Sequence, residues 1–185
     1  MRMVAAAYPV GGFATMDTQR RLRIYLNDHL ATTIVARELA KRSLGRNRGS
    51  ELGVFLEGFL EDHSRERAVL VEAMRRMSVA PQTFKVAAAW MAERVGRLKP
   101  NGQLTGYSPL SRLIEIEGLL ALVRGARSMW LVLARLDDRR LRGLDLLERA
   151  ERAERHMAEL ERIELEFVPE AIGTPGDGAR KAVEP

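Results

Sequence analysis

The sequence predicts an all-α protein built as a four-helix bundle, and three observations carry that expectation. Leu, Ala, Glu and Arg dominate a 185-residue chain that has only five Phe, three Tyr and few β-branched runs, a composition whose intrinsic preferences favour helix. Four long segments repeat their apolar residues with helical periodicity. Each of the four spans about 40 Å at the α-helical rise of about 1.5 Å per residue, and matched lengths suit side-by-side packing. With 46% apolar and 30% charged residues, the chain reads as one globular domain with a sizeable core and no sheet.

The opening stretch MRMVAAAYPVGGFATM is broken by Pro9 and by Gly11-Gly12, so residues 1–16 read as a flexible N-terminal segment and make a poor signal peptide. The first helix is expected from Asp17, a suitable N-cap, to about Leu44, where Gly45 and Gly49 end it. Positions 100° apart place Leu22, Leu26, His29, Leu30, Thr33, Ala36 and Ala40 on one face, with Glu38 pointing away. The second helix follows Ser50 and ends near Met77, before Pro81. Its inward face is Leu52, Leu56, Phe59, His63, Glu66, Leu70, Met74 and Met77.

A long crossover, about 78–107, then contains a helix of its own near Phe84 to Leu98, followed by the Pro- and Gly-punctuated loop KPNGQLTGYSP. Such a link can return the chain to its starting end, which lets the second and third helices run parallel. The third helix starts with Ser108 as N-cap and Pro109 at its first position and continues to about Leu136. It is apolar on two sides. Leu119, Leu122, Val123, Ala126, Met129, Trp130 and Leu133 form one face, while Leu110, Leu113, Ile114, Ala121, Leu131 and Val132 form another. A helix apolar nearly all round has to be covered on both sides, so either the crossover helix or a second copy is expected there. A homodimer through helix three or the crossover is the main partner expectation. The fourth helix runs from about Leu144 to Phe167, stopped by Pro169, with Leu146, Ala153, Met157, Leu160 and Phe167 inward. The bundle thus covers 17–168, and 169–185, which includes GTPGDGARKAVEP, reads as a disordered tail.

Two helical hairpins joined by one long crossover is the plan in which this chain resembles the ferritin-like superfamily. The segments KVAAAWMAERVGRLKPNG and GYSPLSRLIEIEGL and the surroundings of Trp130 are also similar to an actinobacterial ferritin-like family without an established activity. The resemblance implies a bundle that can hold metal in its middle. In such proteins two helices each supply a Glu and the other two each supply Glu-x-x-His. Here no Glu-x-x-His occurs, since Leu26, Leu60 and Ala153 stand three positions before His29, His63 and His156.

The reverse order does occur, His63-x-x-Glu66 and His156-x-x-Glu159, and residues three apart share a helical face. His29, His63, Glu66, Glu115 or Glu117, and His156 are therefore the candidate ligands, and iron, manganese or zinc would suit carboxylate and imidazole donors. Arg124, placed near Glu117, would oppose a cation. The simpler reading is a buried histidine–carboxylate network that holds register and needs no cofactor.

Cysteine is absent, which excludes disulfides, thiolate catalysis and cysteine-bound zinc. No stretch approaches the roughly 20 apolar residues that span a bilayer, so a cytoplasmic location and no membrane contact are expected. The net charge of +5 is unevenly distributed: up to Ser50 nine basic residues face three acidic ones, whereas 144–172 carries four against nine. The basic excess sits in two loops, KRSLGRNRG and DDRRLRG, without aromatic residues for base stacking, so nucleic acid is not expected as a partner. Phosphate-binding and nucleophile-elbow motifs are missing as well. The leading expectation is a non-catalytic ferritin-like protein that acts through self-association or an unidentified protein partner. The alternative is a divergent metal-binding member, and a weaker one is binding of nucleic acid or acidic surfaces through the two basic loops.

Overall fold

The computed structural model describes residues 11–82 and 107–173. Among the described residues there are four long helices, one short 3-10 turn and no strand. We label the helices α1 (Gly11–Arg46), α2 (Glu51–Arg76), α3 (Pro109–Arg135) and α4 (Leu146–Ile172). The 3-10 turn, Arg139–Leu141, lies in the α3–α4 connection. The crossover helix expected near 84–98 and the tail from 174 lie outside the described residues. No described helix is long and apolar enough to cross a membrane.

Local chemistry accounts for most boundaries. Ser50 and Ser108 are both extended N-caps whose hydroxyls accept from the amides of Gly53 and Ser111, satisfying donors that the first helical turn leaves open. Two boundaries differ from expectation. α1 begins at Gly11 rather than Asp17, because a helix this long can propagate across a Gly pair once it has formed. α4 continues through Pro169 to Ile172, because a proline in the last turn costs a single hydrogen bond, the one to the carbonyl of Leu165, itself an exposed residue.

The core divides into two apolar clusters, one toward each end of the bundle. The first joins Leu26 and Leu30 of α1, Leu70 and Met74 of α2, Met129, Trp130 and Leu133 of α3, and Ala150 of α4. The second joins Ala40, Leu52, Leu56, Ile116, Leu119, Leu160 and Ile163. The start of α1 therefore meets the ends of α2 and α3 and the beginning of α4. That places α2 and α3 parallel, as a long link between them allows. α3 and α4 share the most extensive contact, α1 touches both α2 and α3, and α2 touches α4 least. Between the two clusters the packing turns polar, where α2 and α4 face each other.

Candidate functional site

The polar waist is assembled from three helices. α2 contributes Asp62, His63 and Glu66, α4 contributes Arg149, Arg152 and His156, and α1 contributes the backbone of Thr33. His63 lies 2.8 Å through Nε2 from the Thr33 carbonyl. A carbonyl only accepts, so Nε2 carries the proton and donates. Burial is the largest influence on His63 and lowers its pKa below the usual histidine value, with Arg67, His156 and Arg37 acting in the same direction. His156 Nε2 stands 3.2 Å from Asp62 Oδ2, yet burial still lowers its pKa, helped by Arg152 and Arg155. Both imidazoles are thus neutral at physiological pH.

Phe59 organises the two rings. It stacks on His63 at 5.4 Å and meets His156 edge-on at 5.3 Å. The three rings border a cavity of about 40 Å³ that is also lined by Thr32, Thr33, Ala36 and Ala153. Small residues at facing positions create this space, since side chains in the layers above and below are mostly larger. The hydroxyls of Thr32 and Thr33 donate within α1 to the carbonyls of His29 and Leu30.

Glu66 belongs to a different group from His63, although only three residues separate them. Its Oε1 accepts from Arg149 at 3.0 Å and lies 3.5 Å from Arg152, while Oε2 is buried without a hydrogen-bond partner. Burial raises the Glu66 pKa, and the two arginines only partly offset it. Arg152 also approaches Asp62 at 3.7 Å and pairs with Glu148 at 2.9 Å. A divalent ion at Glu66 would have to displace two guanidinium groups, against direct repulsion in a partly desolvated site.

The remaining candidates are dispersed. Glu115, 7% exposed, lies at the other end of α1, where Oε1 accepts from Arg42 and Arg46, each at 3.2 Å, and Oε2 accepts from the Tyr107 hydroxyl at 3.1 Å. Tyr107 in turn accepts from the Asn47 side chain at 2.8 Å. Glu117 is exposed and close to Glu164. His29 packs edge-on against Tyr25 at 4.5 Å, with Nδ1 buried and unpartnered, and burial lowers its pKa. Glu159 pairs with Arg162 at 2.8 Å. Arg124 pairs not with Glu117 but with Glu161, at 3.7 Å. His63 and His156 are brought to one cavity, but among the described residues no three His, Asp or Glu side chains form a group that could hold a metal ion. The donor set does not fit a two-metal carboxylate centre.

Sequence reasoning missed Asp62, Arg149, Arg152 and Tyr107. A signal for the first three was present: Asp62 and Glu66 are four apart on α2, while Arg149, Arg152 and His156 recur at helical offsets on α4. Two complementary stripes of that kind mark facing helices. Tyr107 lay within an expected loop and offered no such pattern. No protein-family description, curated protein or solved structure matches the chain.

Proposed function

We propose that this chain is a ferritin-like helical-bundle protein that acts non-catalytically, through self-association on the outer face of α3. The supporting observation is the exposure of Leu131, Val132 and Leu136 on that helix, at 37%, 44% and 50%. Apolar side chains left open together favour coverage by a partner, because each gains free energy when water is removed from it. The mid-bundle histidines serve register in this reading: His63 ties α2 to α1, and His156 ties α4 to α2. Sedimentation velocity over a wide concentration range tests the proposal. A reversible dimer is expected, and a strict monomer at every concentration removes it.

A metal-binding role has one observation in its favour, the shared cavity of His63 and His156. Both Nε2 atoms are already engaged and Glu66 is neutralised by arginine, which makes this the weaker reading. Elemental analysis of the purified protein, repeated on His63→Ala, distinguishes the two: bound metal that disappears with the substitution supports the metal role.

A further inference from the structure

The solvent side of α3 carries Glu117, Ala121, Arg124, Ser128, Leu131 and Arg135, all exposed. Their spacing alternates between four and three residues, the 3.5-residue repeat that lets a seam follow a partner helix for several turns. The seam is also a mirror of itself about the level of Ala126. Glu117 and Arg135 stand nine residues to either side, Ala121 and Leu131 five, and Arg124 and Ser128 two. Each mirrored pair is complementary: anion with cation, small with large, long donor with short hydroxyl. Self-complementarity of this kind is what a two-fold interface requires, because residue i of one copy meets j of the other and j meets i.

We propose that α3 packs antiparallel against α3 of a second copy, on a two-fold axis that passes between Arg124 and Ser128 at the level of Ala126, so that Glu117 of each copy faces Arg135 of the other. The inference rests on the self-association argued above and gives it a geometry. A parallel pairing in register would set Glu117 against Glu117 and Arg135 against Arg135, which like-charge repulsion disfavours. Within the chain neither residue has an ion-pair partner among the described residues. Glu117 stands instead in an acidic group with Glu161 and Glu164, where burial and then these neighbouring carboxylates raise the Glu164 pKa. An incoming Arg135 relieves that repulsion. Near the axis a Cβ added at Gly125 would meet nothing within 4 Å, so the chain itself does not crowd the approach of a second helix.

Charge reversal on the full-length chain tests the pairing by sedimentation equilibrium, with circular dichroism confirming that each variant is folded. Glu117→Arg and Arg135→Glu are each expected to raise the dimer Kd by about tenfold, because symmetry repeats the repulsion twice. The double variant E117R/R135E is expected to return close to the wild-type value. The chain has no native cysteine, so E117C mixed with R135C should cross-link through a short bis-maleimide while neither does so alone. Like positions lie about 27 Å apart in the antiparallel arrangement. A wild-type dimer that ignores the charge reversals, a double variant as weak as the singles, or cross-linking of E117C with itself overturns this geometry and leaves self-association standing. A monomeric wild-type chain overturns both.

Discussion

Glu115 is held by three donors, two of them cationic, while its own side chain is almost fully buried. Removing it strands the Tyr107 hydroxyl and sets Arg42 and Arg46 side by side without a counter-charge. Glu115→Ala should therefore destabilise the fold by about 2–3 kcal/mol, read from urea unfolding. Arg42→Ala or Arg46→Ala alone should cost under about 1 kcal/mol, since each guanidinium is half exposed and the other remains. The histidines give a second residue-scale expectation. His29, His63 and His156 all have pKa values lowered by burial, so below about pH 6.5 the unfolded chain binds protons that the folded chain does not. Their contribution is complete above that pH and is lost as pH falls toward the lowered folded values. Glu66 has the opposite sign, because its raised pKa contributes stability at low pH that is lost as pH rises through the folded value. A net fall in Tm from pH 7.5 to 5.5 is expected, and His63→Gln should make that fall shallower. A Tm unchanged across the range would show that the histidines titrate alike in both states.

At the scale of the element, α2 depends on the tight turn that precedes it. Asn47 is buried, and its side chain bonds the Ser43 carbonyl and the Tyr107 hydroxyl, while Ser50 caps the helix. This folds the Asn47 carbonyl over Gly53 so closely that a Cβ added there would lie 2.2 Å from the oxygen. Gly53→Ala must shift backbone and should cost about 2 kcal/mol or more. Gly58 in the same helix is open on all sides, so Gly58→Ala should stabilise by about 0.5–1 kcal/mol through helix propensity alone. Opposite signs from one substitution type, measured by thermal unfolding, check the turn geometry. Helix faces were well predicted at this scale: Leu52, Leu56, Phe59, Leu70 and Met74 are buried as periodicity requires. The end of α4 was less legible, because Pro169 looks the same in sequence whether it stops a helix or sits in its last turn.

At the scale of the molecule, association and folding are linked. If α3 is buried between copies, Tm rises with protein concentration, because the dimer binds only the folded state. The double variant Val132→Asp/Leu136→Asp should abolish that dependence while leaving the dilute Tm nearly unchanged, since both side chains are already exposed. A concentration-dependent Tm that survives the double variant would move the interface elsewhere. The first basic segment is not a loop as expected, since Lys41, Arg42 and Arg46 belong to the last turns of α1; it lies at the opposite end of the bundle from the basic segment between α3 and α4, so the two do not form a single basic surface.

Sequence alone determined the number of described helices, their inward faces and the Ser108 cap, because capping and periodicity act within one or two turns of the chain. It also singled out His63 and His156 as candidate residues on the second and fourth helices. Only the tertiary structure decided that these histidines share a cavity, that Asp62 holds one of them and that arginines from α4 neutralise Glu66. A helical repeat defines which face turns inward but not the rotation and register of one helix against another. Those follow from the summed packing of Leu, Met and Phe side chains across the whole interface, and through them the neighbours of every polar group are set.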